Sequence, residues 1–408
     1  MKSYSKKRHT GRLIGTLLIF AILVAYVGTV LLLPVKTIGS THTSQLKITT
    51  PSVNLPWPKY GEGAIGLSDG VVVQAHGNQT PRPTASVAKL ITALSVLHKY
   101  PLSVGEQGPT ITIDTTDYAY YTNYISEQGS VVPVSTGEQL SELQMLEAML
   151  IPSGNNIADA LARWAYGSLP AYDQFANGYV KQLGLKNTTV ATDASGFSPN
   201  TTSTASDLIK LGSLVMANPV LAQIVAMKTV NVPNVGVMKN YDNIIGLNGI
   251  NGIKTGNSNQ AGGVFLGSAN TKVNGQTITV LVALMGAPNL SQVMTDTLPM
   301  IVAVENSFAQ STLVSKSEVL GEYKLPWGGI VQVAAAKDLV VYVLQGQAAN
   351  ATLTLSSLNI PAAKGARVGT ITTKANRLNQ GQSVNVITLE KSTNPTWQWR
   401  LLHPQAML

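Results

Sequence analysis

Ser86 and Lys89 lie three residues apart at the head of the apolar stretch TASVAKLITALSVLHKY (84–100). A primary hydroxyl is a poor nucleophile at neutral pH and needs a base within hydrogen-bond reach. Residues three apart on a helix share one face, so the amine of Lys89 is placed to serve that hydroxyl. The first helical turn adds unpaired backbone N–H groups and the positive end of the helix dipole, which favour developing negative charge. That is the equipment of acyl transfer. Ser-x-x-Lys also occurs at Ser3 and Ser44, in a basic tail and a polar linker where no helix aligns the pair. Alone, Ser86 reads equally as a helix-capping hydroxyl and Lys89 as a solvated amphipathic stem.

Two further short patterns come after it in order. Ser153-Gly154-Asn155 forms a turn after Pro152, between a helix with the face Leu140, Leu143, Leu146 and Met149 and a second helix at 156–164. Ser-x-Asn recurs elsewhere, as at Ser52 and Ser198, so on its own it is turn chemistry. Lys254-Thr255-Gly256 occurs once, with Asn257 next, where a Gly- and Asn-rich stretch gives way to the strands 264–269 and 277–285. By itself Lys254 reads as a solvated strand lysine.

The elements that must position these groups can be taken from the pattern. Residues 63–67 and 71–75, joined by Ser-Asp-Gly, predict a β-hairpin before the Ser86 helix. Leu90, Leu94 and Leu97 give that helix a core-facing stripe. Thr204 to Asp207 predicts a capping box opening a helix towards Ala217, and residues 291–310 a closing helix. The polar, Tyr-rich stretch 110–133, with Tyr118, Tyr120, Tyr121 and Tyr124, reads as a packed loop. Beyond Thr312 short β-like runs at 330–333, 339–344, 352–355 and 384–389 imply a separate β domain. The aromatic alternation at Trp397 and Trp399 suggests a final strand.

Composition narrows the class. The chain has 408 residues, enough for two or three domains, and no cysteine, which excludes disulfides and thiolate chemistry. The five histidines, at 9, 42, 76, 98 and 403, have no metal-ligand spacing, so neither a metal centre nor a His-based triad is expected. Eight basic residues from Lys2 to Lys59 precede the first acidic one, Glu62, and account for the whole net charge of +8. The remainder is neutral, leaving no basic stripe for nucleic acid. Residues 1–12 form a basic tail and residues 13–33 an uncharged apolar run long enough to span a bilayer. With the tail held in the cytoplasm, everything after Pro34 is exported. The run ends in LLLPVK without a small-x-small cleavage site, which favours an uncleaved anchor. Residues 34–60 read as a linker.

A helix-borne Ser-x-x-Lys, a Ser-x-Asn turn between helices and a strand-borne Lys-Thr-Gly, in this order and spacing, resemble the signature of serine penicillin-recognising enzymes. More closely the chain resembles the D-alanyl-D-alanine carboxypeptidase family, the low-molecular-weight penicillin-binding proteins, over about residues 60–310. The segments IPSGNNIADALA, LGLKNTTVATDASG and NGIKTG carry that likeness. The resemblance implies an α/β (α+β) fold: a β-lactamase/DD-peptidase-like antiparallel sheet with a helical subdomain at 61–311, then a smaller all-β domain at 312–408.

It also implies roles. Ser86 would be the nucleophile and Lys89 its base; Ser153 would pass a proton to the leaving group. Asn155, Lys254, Thr255, Gly256 and Asn257 would bind substrate, with the N–H groups of Ser86 and Asn257 as oxyanion hole. The implied substrate is a peptidoglycan stem pentapeptide, β-lactams being covalent inhibitors, with no cofactor. The chain departs from the family pattern in having Asn257 and Ser258 after Gly256, and no Lys or Arg from Val273 to Ser315. A DD-endopeptidase is therefore an alternative. A β-lactamase on the same fold would need a second base, and no glutamate lies between Asn155 and Lys254. A silent peptidoglycan-binding scaffold is the non-enzymatic alternative.

Overall fold

The computed structural model describes residues 5–39, 42–376 and 378–407, so the first four residues of the expected basic tail lie outside the described residues. In chain order come α1 (Ser5–Leu32), β1 (His42–Thr49), β2 (Glu62–Leu67), β3 (Val72–His76), β4 (Arg82–Pro83), a 3-10 turn (Ala85–Ala88) and α2 (Lys89–Lys99). Next are β5 (Thr110–Thr112), α3 (Thr115–Ser126), β6 (Gln139–Ser141), α4 (Glu142–Leu150), α5 (Asn155–Tyr166), α6 (Leu169–Gln182) and β7 (Thr202–Ser203). Then come α7 (Ala205–Ala217), α8 (Pro219–Val225), β8 (Thr229–Val232), β9 (Gly236–Lys239), β10 (Ile250–Ser258), β11 (Gly262–Val273), β12 (Gln276–Ala287) and α9 (Leu290–Glu305). The last group is β13 (Phe308–Val314), β14 (Val319–Lys324), β15 (Ile330–Ala335), β16 (Leu339–Leu344), β17 (Ala348–Leu355), β18 (Arg367–Thr372), β19 (Ser383–Thr388) and α10 (Trp397–Leu402).

These elements form two compact units. One comprises Thr50–Ala309 with Leu344–Gln347; the other takes the residues up to Thr49 together with Gln310–Val343 and those from Ala348 onward. In the first, an antiparallel sheet of order β10-β11-β12-β2-β3 is covered on both faces. Side chains alternate across a strand. Accordingly Leu281, Ala283 and Met285 of β12 join the core with Leu208 and Leu211 of α7, whereas Val280, Val282 and Leu284 join Val293, Met300 and Ile301 of α9. Burial on both faces explains why this strand reads as a continuous apolar run. α2 lies inside the helical layer, with every residue from Lys89 to Leu97 buried. β10 is the edge strand, and the 3-10 turn that carries Ser86 packs against it.

The second unit holds a six-stranded sheet of order β1-β17-β18-β19-β15-β14 and the pair β13-β16 over its own core. Here the reading of 34–60 as a linker is corrected: residues 42–49 are strand β1, paired residue by residue with 348–355. Most side chains of this edge strand are exposed and only Leu46 and Ile48 alternate towards the core, too short an apolar pattern to mark it, and its partner lies too far along the chain to be anticipated.

Three smaller expectations are also corrected. The Tyr-rich stretch is not a loop but contains α3, started by a capping box in which Asp114 and Asp117 exchange hydrogen bonds with each other's backbone. Among its residues only Asp117 and Tyr124 are buried, so no stripe betrays it. Thr204 caps α7 by accepting from the Asp207 N–H, but the Asp207 carboxylate turns to Asn187 N and Thr188 Oγ1 instead of closing the box. Residues 397–402 form the short helix α10, capped by Thr396, in place of a final strand.

Candidate active site

The chain enters the Ser86 turn through Ala85, whose φ of +45° lies in the left-handed region. Ser153, at φ +62°, is held the same way. Such conformations cost a non-glycine residue about 1–3 kcal/mol each and persist where surrounding structure imposes them. The turn is clamped from two sides. A Cβ on Gly196 would lie 2.2 Å from Ala85 O, and one on Gly256 would lie 2.8 Å from Thr84 O and 3.2 Å from Ser86 N. Gly256 is therefore present for space: without a side chain, β10 closes directly on the nucleophile turn. Gly256→Ala should displace Ser86 from β10 and slow acylation by about 100-fold, measured as the rate of covalent labelling, because misplacements near 1 Å have effects of that size. Wild-type labelling in this variant would show that the close approach is dispensable.

Lys89 is completely buried (0% exposed) and is not the solvated stem its position in an amphipathic helix allows. Its Nζ lies 2.9 Å from Ser86 Oγ, 2.7 Å from Asn155 Oδ1 and 3.0 Å from Ser195 O. A neutral amine has two N–H donors and one lone pair. Asn155 Oδ1 and Ser195 O can only accept, so they take the two donors and the lone pair is left facing the Ser86 hydroxyl. Burial drives the Lys89 pKa well below its ordinary value and the Lys254 charge pushes the same way, against the attraction of Asp193 and Asp159. The geometry is that of a base beside an alcohol.

Asn155 opens α5 and its backbone N–H donates to Ser130 O, while the side chain of Asn156 pairs with both the N–H and the C=O of Val132. These bonds lock the Ser153 turn to the 130–132 loop. Ser153 is buried, and its Oγ has no hydrogen-bond partner among the described residues. Lys254 is likewise buried with its Nζ unpartnered there, and burial holds its pKa down at about 7 against the attraction of Asp242. Asp242 is itself pushed up to about 6 by burial, with Lys254 opposing. Lys254 is near enough for Lys89 to feel its charge, and Ser153 stands two residues before Asn155, whose Oδ1 meets Lys89 Nζ; two buried, unpaired polar groups so placed are left for a polar ligand, since such groups are otherwise satisfied.

Against known proteins, residues 64–289, more than half of the chain, match the family described as D-alanyl-D-alanine carboxypeptidase. The chain belongs to the D-alanyl-D-alanine carboxypeptidase family. A curated family member, D-alanyl-D-alanine carboxypeptidase DacA of Haemophilus influenzae, is 24% identical over 316 residues, covering 75% of this chain and 78% of the relative. Among solved structures, penicillin binding protein 5 from Haemophilus influenzae superposes with a TM-score of 0.56 at 20% identity, covering 84% of this chain and 99% of that one. The D-alanyl-D-alanine carboxypeptidase from Mycobacterium tuberculosis H37Rv gives 0.53 at 26% identity, covering 63% and 95%. Membership makes the chain a serine hydrolase directed at D-Ala-D-Ala.

Beside the family motif lies an acidic support that sequence reasoning alone does not single out. The Asp193 carboxylate gathers Ser195 N, Phe197 N and Ser198 N, shaping the loop that presents Ser195 O to Lys89. Asp159 accepts from Tyr124 Oη at 2.7 Å and Ala194 N at 2.8 Å, and burial with repulsion from Asp193 raises its pKa to about 7. Tyr124, Asp159 and Asp193 also line a cavity of about 300 Å³. Asp159 stands four residues after Asn155 on α5 and so shares its helix face, the one local signal that could have found it.

Proposed function

We propose that the chain removes the terminal D-Ala from peptidoglycan stem pentapeptides through a Ser86 acyl-enzyme, and that β-lactams trap it at that stage. The carrying observation is the buried Lys89 Nζ, within 3.0 Å of two acceptors and of Ser86 Oγ, an arrangement in which a neutral amine turns its lone pair to the hydroxyl. Ser86 Oγ attacks the carbonyl carbon of the D-Ala-D-Ala bond while its proton passes to Lys89 Nζ. The oxyanion is held by the N–H groups of Ser86 and Asn257; losing one such donor typically costs 10²–10³-fold. The C–N bond then breaks, and the departing D-Ala nitrogen takes the proton from Lys89 by way of Ser153 Oγ. Water hydrolyses the ester and restores both groups. Asn155 and the backbone around Gly256 hold the peptide amide, and Lys254 with Thr255 binds the terminal carboxylate. A β-lactam opens by the same attack, but its leaving nitrogen stays tethered, which slows the approach of water.

The setting proposed is the outer face of the cytoplasmic membrane. One helix, Gly11–Leu32, is long and apolar enough to cross a bilayer, and its side chains are nearly all exposed. The basic residues before it support a peptidase on the outer side.

Cross-link cleavage uses the same machinery and differs only in the group attached beyond the scissile bond. The lack of Lys and Arg from 273 to 315 favours this second reading, because that stretch then supplies no second cation to help Lys254 fix a free carboxylate. Intact-protein mass spectrometry after penicillin, with peptide mapping, tests the whole assignment. Wild type should gain one adduct on Ser86 and release D-Ala from a pentapeptide, and Ser86→Ala should lose both. D-Ala release persisting in that variant overturns the reading. Cleavage of a cross-linked dimer without release from the pentapeptide selects the endopeptidase.

A further inference from the structure

α10 is docked on the end of α1. Arg400 Nη1 donates to Leu31 O and Leu33 O, each at 3.0 Å, filling carbonyls that a helix C-terminus otherwise leaves open and placing a cation at the negative end of the dipole. Tyr26 Oη donates to Leu401 O at 2.8 Å, and Lys36 N to Ala406 O at 3.0 Å. Val30, Val35 and Met407 are buried together against Trp327, Ile360 and Leu401. Trp399 stacks on His403 and meets Trp327 edge-on, while Trp327 Nε1 donates to Thr393 O at 2.9 Å. The joint between α1 and the β unit is thus packed and hydrogen-bonded, yet two large apolar side chains of α10 point outward: Trp397 is 61% exposed and Leu402 77%.

Resting on the reading of α1 as a membrane span, we propose that residues 393–407 form an interfacial collar, with Trp397 and Leu402 buried in the lipid surface around the outer end of α1. The depth comes from length. The 22 residues Gly11–Leu32 rise about 33 Å at 1.5 Å each, close to the roughly 30 Å hydrocarbon core, so Leu32 lies at its outer boundary. Arg400 bonds at that level, and Tyr26 reaches Leu401 O from about 9 Å lower along the axis. α10 therefore runs beside the last turns of α1, where acyl chains meet headgroups. Trp is the side chain that favours this boundary, its ring being apolar with one donor. The occupant is a lipid surface, because α10 is continuous with a helix whose own sides fit hydrocarbon.

The absence of cysteine permits single spin labels. The full chain, reconstituted in phosphatidylcholine/phosphatidylglycerol vesicles, would carry Ile22→Cys, Trp397→Cys, Leu402→Cys or Glu318→Cys. The last precedes β14, about 20 Å of strand from the Trp327 loop, and marks the aqueous end. Oxygen and a nickel chelate report lipid and water. Label 22 should be deep, and labels 397 and 402 should lie at the headgroup boundary with nickel accessibility at least threefold below that of label 318. Labels 397 and 402 as water-accessible as label 318, with label 22 deep, overturn the collar alone. A water-exposed label 22 overturns the anchor reading and the collar with it.

Discussion

Lys89→Met should lower the rate of Ser86 acylation by about 10²–10⁴-fold, the usual contribution of a positioned base. Methionine keeps the unbranched shape of the stem, one atom shorter, but offers no basic nitrogen to the hydroxyl. The variant should also lose a pH limb. Because burial, assisted by the Lys254 charge, depresses the Lys89 pKa, the wild-type amine is protonated at low pH and free above its lowered value. Acylation should therefore rise with pH and then level off. Stopped-flow acylation by a reporter β-lactam from pH 5 to 10 checks both expectations. A Lys89→Met enzyme that keeps the wild-type rate, or keeps the rising limb, would remove Lys89 from its proposed role.

Lys254→Met should lower turnover of a substrate ending in a free carboxylate by roughly 10–100-fold, the worth of a hydrogen bond to a charged group. It should also alter stability with a definite sign. The folded-state pKa is about 7 and the ordinary value 10.5, so between those pH values the unfolded chain binds a proton that the folded chain has released. Wild-type stability should rise with pH across that window. Below it the buried ammonium costs on the order of 4–5 kcal/mol, the attraction of Asp242 being already included in that figure. The variant should accordingly unfold at a temperature several degrees higher near pH 6.5, with the advantage shrinking towards pH 10. Thermal unfolding of both proteins at the two pH values decides the matter; a variant less stable at pH 6.5 would show that Lys254 is compensated more fully than its surroundings indicate.

Legibility in the sequence tracks the range of each interaction. Ser86 with Lys89 is a contact at i, i+3, and it is legible as chemistry because a single local turn, 3-10 at Ser86 and α-helical from Lys89, brings the two together. Lys254 and Gly256 are legible only as members of an ordered set; nothing local shows that Gly256 is needed to let β10 reach Thr84 O. The burial of Lys89 among Asn155, Ser195 and the two aspartates joins segments 66 and 106 residues away, beyond any periodicity. The hairpin, the Leu90 stripe and the strands at 264–269 and 277–285 are visible because their apolar residues recur at the right period. α3 is not, since its stability comes from a cap and from Arg163 pairing with Asp114 and Asp117. β1 escapes detection for the complementary reason, as a strand defined almost wholly by its partner.

The pairing of β1 with β17 also sets an order of events during synthesis. Gln45 meets Thr352 across 307 positions of chain. At synthesis rates of about 5–20 residues per second, residues 42–49 wait on the order of 15–60 s before their partner is made. Throughout that interval β1 offers unpaired backbone to any passing strand. The Ser86 domain, lying between the two, can mature while the β unit waits for its later strands.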